Sequence, residues 1–343
     1  MKASVFSGYR ILRNAAAAIL SVILLCIGAA GPVFSLDTPY TGTPRTIAHD
    51  FLDMEKKFGT VDEHYTYINS LINKAAKLII PKEDYTDKDA FQILGQIDGL
   101  LKKEGFRFKN NFLLNQGIRS KEIDCDNYST LYTAIAEILR IPIIPVYAPN
   151  HSFVRFNFND GSYVNWDPIK NTTLPNAFYI KQMNIAPESI QKGVYLRSLT
   201  RKEFLGVEYN SIGTYLITEK KYRESIPYLT MAIKLYPDFS SAYHNRGTAL
   251  YALRQGKHAL RDLLGAASLD PNRASTHNTI GDIYFDLKDY TNAVRHYTAS
   301  IKLDPAQYPP YVSIGQIMKL QGREDLSEKW LRKAKEIKAR YPQ

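Results

Sequence analysis

The chain of 343 residues is long enough for two ordinary domains, and its 45% hydrophobic and 23% charged residues are typical of a globular protein. The formal net charge of +10 is moderate and spread along the sequence, without a dense basic stripe interleaved with aromatic residues, so nucleic-acid binding is not expected. The sequence also lacks phosphate-binding and dinucleotide-binding glycine loops, and no cofactor is expected.

Residues 1–35 have the pattern of an export signal. An apolar run over 14–34 is followed by polar sequence, and three basic residues precede it: Lys2, Arg10 and Arg13. This pattern predicts a cleaved secretory signal, although the run is also long enough to remain as a membrane anchor. Either alternative exports the remainder to the periplasm or cell envelope, with membrane contact only through this segment. If the signal is cleaved, Cys26 leaves with it and Cys125 is the only cysteine.

Residues 36–200 predict an α+β domain. Helical spacing is present in "TPRTIAHDFLDMEKKFG", "SLINKAAKLIIP" and "DAFQILGQIDGLLKKEG". Another helix is expected to begin after Asp124, which acts as its N-cap, and to stop before Pro142. The short aromatic and β-branched runs "IIPVYA", "SFVRFNF" and "SYVNW" then predict strands, with a hairpin turn at "NDG" (159–161). The expected arrangement is a helix packed on an antiparallel sheet.

Three residues of this domain form a candidate site: Cys125, His151 and Asp167. His151 begins one predicted strand and Asp167 ends the next, so a hairpin can bring the two together near Cys125 at the helix start. A helix N-terminus favours a thiolate, an imidazole can transfer its proton, and a carboxylate can orient the imidazole. The alternatives are a small buried cysteine, a histidine at a strand end and an aspartate in a turn.

The segments "DCDNYSTLYTAIAEILRIPIIPV", "PNHSFVRF" and "GSYVNWDP" resemble the transglutaminase-like superfamily, most closely its bacterial branch joined to tetratricopeptide repeats. The resemblance implies a papain-like core at about 90–180, with Cys125 as nucleophile, His151 as general base and acid, and Asp167 as the orienting residue. Two features depart from the family pattern. Arg140 stands where glycine is frequent, and carboxyls flank the thiol and oppose its ionisation. Members of this branch can lack one of the three residues.

Two further expectations concern the surroundings of Cys125. The backbone N–H of Cys125, with Asn115 or Gln116 in the preceding loop, is a candidate oxyanion hole. No metal site is expected, because one Cys, one His and one Asp are an unusual ligand set and no HxxxH or CxxC spacing occurs.

Residues 205–343 contain a repeat with a period of 34 residues. Glycine recurs at this spacing, and small residues and prolines keep the same interval: Gly213, Gly247, Gly281, Gly315; Ala232, Ala266, Ser300, Ala334; Ser225, Ala259, Ala293, Ser327; Pro237, Pro271, Pro305. The pattern resembles the tetratricopeptide repeat and predicts four helical hairpins in an all-α solenoid. The charged segment "EKWLRKAKEIKARYPQ" is expected to be the C-terminal capping helix.

The sequence therefore favours two functional hypotheses. The first is an exported cysteine-dependent acyl-transfer enzyme, an amidase, peptidase or amide transferase, whose repeats recruit a protein or peptide. The second is a non-catalytic cell-envelope scaffold, in which the transglutaminase-like domain is vestigial or binds peptides. Both predict a protein or peptide ligand in the repeat groove. A third alternative is an intermolecular disulfide through Cys125.

Overall fold

The computed structural model describes residues 44–341, so the predicted export signal lies outside the described residues. In this part of the chain no helix combines the length and the apolar character needed to cross a bilayer. The helices in chain order are α1 (Ile47–Met54), α2 (Asp62–Ala76), α3 (Asp87–Lys103), α4 (Leu114–Ser120), α5 (Cys125–Leu139), α6 (Asn176–Gln182), α7 (Pro187–Gln191), α8 (Arg201–Thr218), α9 (Tyr222–Leu235), α10 (Ser240–Ala252), α11 (Gly256–Leu269), α12 (Ala274–Asp286), α13 (Tyr290–Leu303), α14 (Pro309–Leu320) and α15 (Glu324–Arg340). The strands are β1 (Arg107–Phe108), β2 (Glu122–Ile123), β3 (Ile143–Ala148), β4 (His151–Asn157), β5 (Tyr163–Asp167) and β6 (Thr172–Thr173).

The strands form a parallel pair, β1-β2, and an antiparallel sheet in the order β3-β4-β5-β6. The predicted hairpin turn is present, with Gly161 at φ 81° and its N–H donating to the carbonyl of Phe158 (3.0 Å). Helix α5 packs against β3 and β4. The expected helix on a small antiparallel sheet is therefore confirmed, whereas the β1-β2 pair, strand β6 and helices α4, α6 and α7 were not predicted.

Helix α5 begins and ends as the sequence indicates. The Asp124 carboxylate accepts the N–H of Asn127 (3.0 Å), which satisfies one of the free donors at the helix start. The helix ends at Leu139, ahead of Pro142, and Arg140 lies in the left-handed region at φ 53°. This backbone conformation favours glycine, so Arg140 is an uncommon residue at this position.

One hydrophobic core extends from the sheet into the first repeat. Phe204 and Val207 of α8 belong to the same buried cluster as Phe153 of β4. Phe204 also packs against Phe51 of α1, with 5.4 Å between ring centroids. Helix α8 begins at Arg201, and the buried apolar surface continues from the α+β part into it, so the predicted domain boundary at 200–205 stays a prediction. The first repeat thus helps to complete the core of the α+β part.

The predicted 34-residue repeats are helical hairpins, which confirms the solenoid. The first helices of the hairpins are α8, α10, α12 and α14, and each packs on the following second helix. Helix α8 contacts α10, and α10 contacts α12, whereas second helices of neighbouring hairpins show no comparable contact within the described residues. The first helices therefore line the inner, concave side of the curve. The recurring small positions are buried at the helix contacts: Ser225, Ala232, Ala259, Ala266, Ala293, Ser300, Ser327 and Ala334.

The recurring glycine should tolerate no side chain, and the second repeat offers a matched comparison. A Cβ added at Gly247 would lie 2.7 Å from Cγ of Leu263 and 3.2 Å from the carbonyl oxygen of Ala259. At Gly265, in the same repeat, the nearest atom would be 3.9 Å away. We expect Gly247→Ala to lower the free energy of unfolding by about 1–3 kcal/mol through overpacking, and Gly265→Ala to raise it by about 0.5–1 kcal/mol through helix propensity. Chemical denaturation of both variants checks this, and equal effects would contradict the close helix approach.

Candidate functional site

The predicted His151 and Asp167 are in contact. His151 is the first residue of β4 and Asp167 the last of β5, and the antiparallel pairing brings His151 Nε2 within 3.0 Å of Asp167 Oδ2. Asp167 Oδ1 accepts the backbone N–H groups of Ile169 and Lys170, each at 3.1 Å. Tyr179 of α6 donates its hydroxyl to Asp167 Oδ2 (3.3 Å). The carboxylate is fully buried and held from three sides, so it can orient the imidazole.

The charge of Asp167 is stabilised despite this burial. Burial by itself would raise the pKa of Asp167, but the His151 ring and the N–H groups of Lys170 and Ile169 outweigh it and hold the pKa below its usual value. An ionised Asp167 accepts a hydrogen bond from the Nε2–H of His151. Nδ1 of the neutral ring then carries the lone pair that can take a proton from a thiol.

Cys125 is the first residue of α5, and its sulfur lies beside the backbone N–H of Ser152, the residue after His151. Burial raises the pKa of the Cys125 thiol well above its usual range, and the carboxyls of Asp126 and Asp124 raise it further; the N–H of Ser152 acts in the opposite direction. Within residues 44–341 no hydrogen bond joins Cys125 and the His151 ring. Burial and the two carboxyls therefore favour the neutral thiol of Cys125.

The oxyanion-hole candidates differ in their burial and hydrogen bonding. Asn115 is buried, and its side-chain N–H groups donate to the carbonyl of Phe58 (3.2 Å) and to Oγ1 of Thr60 (3.0 Å). These acceptors engage the amide donors of Asn115, and its role in an oxyanion hole stays a prediction. Gln116 is half-buried on α4 and remains a prediction, as does the backbone N–H of Cys125.

The repeats form one wall of the site, which the sequence did not predict. Asp126, next to Cys125, accepts a hydrogen bond from the hydroxyl of Ser152 in β4 and another from Ser211 in α8 (3.0 Å). Tyr147 of β3 shares a hydrogen bond with Ser241 of α10 (3.2 Å). The first turn of α5 therefore contacts both the sheet and the first helix of the repeats.

A pair of buried carboxyl groups lies near the start of α5. Glu55, after α1, accepts the N–H groups of Leu114 (2.6 Å) and Asn115 (2.7 Å) at the start of α4. Its carboxyl meets that of Glu208 from α8, and both residues are fully buried. Burial and then repulsion by Glu55 raise the pKa of Glu208 well above its usual range, and burial also raises the pKa of Glu55. The pair is stable only when it shares a proton.

Comparisons with known proteins agree with the repeat geometry. The tetratricopeptide-repeat family model matches residues 274–307, which are the third hairpin. No curated protein matches the chain. The family match covers only the repeat part, so the transglutaminase-like resemblance rests on the sequence motifs alone.

Three solved structures are similar to part of this chain. A crystal structure of MamA is 21% identical with a TM-score of 0.38, over 39% of this chain and 79% of its own. YrrB, described as a TPR protein with an unusual peptide-binding site, is 17% identical with a TM-score of 0.36, over 47% and 81%. The first TPR of Spaghetti (RPAP3), bound to an HSP90 peptide, is 19% identical with a TM-score of 0.34, over 34% and 94%.

The carboxyl pair predicts an unusual dependence of stability on pH. Because the pKa values of Glu55 and Glu208 are raised, the folded chain binds more protons than the unfolded chain, and this contribution to stability falls as pH rises above about 4.5. We expect Glu208→Gln to raise the free energy of unfolding at pH 8 by about 1.4 kcal/mol for each pKa unit of the shift, and by less at pH 5.

Denaturant unfolding of the full-length chain at both pH values measures this difference. Glu224→Gln, which removes an exposed carboxyl from the neighbouring helix α9, is the matched control and should change neither value. A Glu208→Gln variant that is less stable than the wild type at pH 8 would show that the pair is not proton-linked.

Proposed function

We propose that this chain is a protein-interaction scaffold whose repeats bind an extended peptide segment of a partner on their concave side. The supporting observation is a change in exposure at one repeat position. Val207 and Ser241 occupy this position in the first two repeats and are buried, whereas Ser275 in the third repeat is exposed. The α+β part thus covers the start of the concave side and leaves it open at α12.

The open part presents polar groups suited to an extended backbone. Asn278, Asp282 and Asp286 follow one another at four-residue intervals on α12 and therefore share one face. The side-chain oxygen Oδ1 of Asn278 is buried without a hydrogen-bond partner within the described residues. Side-chain amides offer both a donor and an acceptor, as a peptide backbone requires.

The same face carries negative charge that this chain does not neutralise. Asp282 accepts the hydroxyl of Tyr297 (2.8 Å), and Asp286 accepts that of Tyr251 (2.9 Å), but neither forms an ion pair within residues 44–341. Burial, together with Asp286, raises the pKa of Asp282. Like charges four residues apart destabilise a helix, and a cationic ligand would offset this. The partner segment is therefore expected to carry Lys or Arg opposite this pair.

Selection from a displayed library of random peptides on the full-length chain tests this function. We expect selected peptides to be enriched in Lys and Arg, and their affinity, measured by fluorescence anisotropy, to fall as salt rises. The double variant Asp282→Asn/Asp286→Asn should weaken binding about tenfold or more, since it removes both attractive charges. Asp325→Asn/Glu328→Gln removes two exposed carboxyls from α15 and is the matched control. Equal affinities of the two double variants would refute this groove as the binding surface.

Cysteine-dependent acyl transfer of the transglutaminase-like type is a second candidate function. It is supported by the His151–Asp167 hydrogen bond beside a cysteine at a helix N-terminus. In this mechanism Nδ1 of His151 takes the thiol proton as sulfur bonds to an amide carbonyl carbon. The C–N bond then breaks, and His151 protonates the leaving amine. Water or another amine attacks the thioester and returns the thiol.

The flanking carboxyls set the rate of this chemistry. Because Asp126 raises the pKa of Cys125, Asp126→Asn should lower it and increase thiolate by about tenfold per pKa unit. We therefore expect p-nitrophenyl acetate to acetylate Cys125 faster in this variant, as followed by mass spectrometry of the Cys125 peptide. His151→Ala should abolish the reaction, and Asp325→Asn, which removes an exposed carboxyl from α15, should leave it unchanged. Equal rates with and without His151 would exclude acyl transfer here.

We further propose, from the sequence of residues 1–35 alone, that the chain is exported to the periplasm or cell envelope. In that compartment the partner segment bound by the repeats would belong to another envelope protein. This location also makes the disulfide alternative for Cys125 chemically accessible, because oxidising compartments permit disulfides.

A further inference from the structure

We propose that Arg273, at the start of the third repeat, is a positioning residue for His151 and so links the repeats to the geometry of the site. This inference rests on the acyl-transfer function proposed above. Arg273 is the N-cap residue of α12, and only 9% of its side chain is exposed. Arg273 reaches out of the repeats to the turn before His151. There it contacts Asn150, which lies 123 residues earlier in the chain.

The guanidinium group is fixed within the repeats by two contacts. Arg273 donates to the hydroxyl of Ser241 at the start of α10 (2.8 Å), and its Nε lies 3.5 Å from Oδ2 of Asp270. Asp270 is held in turn by the hydroxyl of Tyr195 (2.8 Å). Ser241, Asp270 and Tyr195 together fix the position of Arg273, and its contact with Asn150 carries that position to the turn before His151.

The third contact is to Asn150, whose Oδ1 accepts a hydrogen bond from Arg273 (3.2 Å). Ala148 and His151 pair at the end of the β3-β4 ladder, so Pro149 and Asn150 alone form the turn between the strands. Asn150 lies in the left-handed region at φ 55°, which Asn and Gly tolerate best. Because His151 follows directly, the backbone conformation of Asn150 determines the position of the His151 imidazole.

The consequence is a connection between the binding surface and the histidine. Asp282 and Asp286, the proposed ligand contacts, lie on α12, and Arg273 caps the same helix. A ligand that shifts α12 moves the donor that holds the turn. The hydrogen bond from His151 Nε2 to Asp167 then loosens, and with it the preference for the tautomer that leaves Nδ1 able to accept a proton.

The tautomer of His151 is the direct readout. The full-length chain is labelled with 15N-histidine, and the tautomer is assigned from ring nitrogen shifts at about pH 8, with His151→Gln identifying the signal. We expect the ratio of Nε2–H to Nδ1–H tautomer to fall about fivefold in Asn150→Gly and in Arg273→Gln, the effect of losing one hydrogen bond. Asn150→Gly keeps the left-handed turn and all other Arg273 contacts, so it remains informative if Arg273→Gln does not fold.

Three further variants make the test specific. The double variant Asn150→Gly/Arg273→Gln should show no more than the single effect, because both changes remove the same contact. Asn150→Asp keeps the acceptor and should preserve the wild-type ratio. Arg246→Gln breaks an ion pair with Asp262 inside the second repeat and should also preserve it. An unchanged ratio in Asn150→Gly overturns the proposal.

Failure of this inference is distinct from failure of the acyl-transfer function. If Cys125 is acetylated by p-nitrophenyl acetate but the His151 tautomer is insensitive to Asn150→Gly, the positioning role of Arg273 is wrong and the chemistry stands. If the tautomer responds but Cys125 is never acetylated in the wild type, the link between repeats and histidine stands and acyl transfer is excluded.

Discussion

The structure depends on the packing of α8, which belongs to two parts of the molecule at once. One side of this helix completes the core of the α+β part through Phe204 and Val207. The next turns bring Glu208 to the buried carboxyl of Glu55 and Ser211 to Asp126 beside the thiol. As the first helix of the first repeat, α8 also sets the direction of the solenoid. The position of the site, the pKa values of its carboxyl groups and the concave surface of the repeats therefore all depend on how α8 is packed.

Much of this arrangement follows from local sequence patterns. A strict 34-residue period predicts the helical hairpins, because small residues recur at the positions where the two helices of each repeat pack closely. The turn at 159–161 likewise determines which ends of β4 and β5 meet, and this placed His151 next to Asp167. Asp124 marked the start of α5 because a side-chain cap is a local property. These predictions needed no knowledge of contacts distant in sequence.

The remaining features depend on contacts that no local pattern encodes. From the sequence alone, Glu208 would be predicted to be an exposed glutamate of a helical repeat, yet it is fully buried against Glu55. Asn115 was expected in a loop but lies in α4, and its amide turns toward Phe58 and Thr60 because α4 packs on the segment after α1. Likewise, β1 and β2 each have only two residues, too few for an alternating pattern to be visible. In each case tertiary packing decides the outcome.

The long reach from Arg273 to Asn150 has a consequence for the order of biosynthesis. The two residues are separated by 123 positions, so at a ribosomal rate of about 5–20 residues per second the turn waits roughly 6–25 s for its partner. During that time the β3-β4 hairpin can form, but the turn before His151 lacks its hydrogen bond from Arg273. A nascent or truncated chain that ends before the third repeat would therefore contain Cys125 and His151 but lack the Arg273–Asn150 hydrogen bond. The site would form completely only after the third repeat had been synthesised.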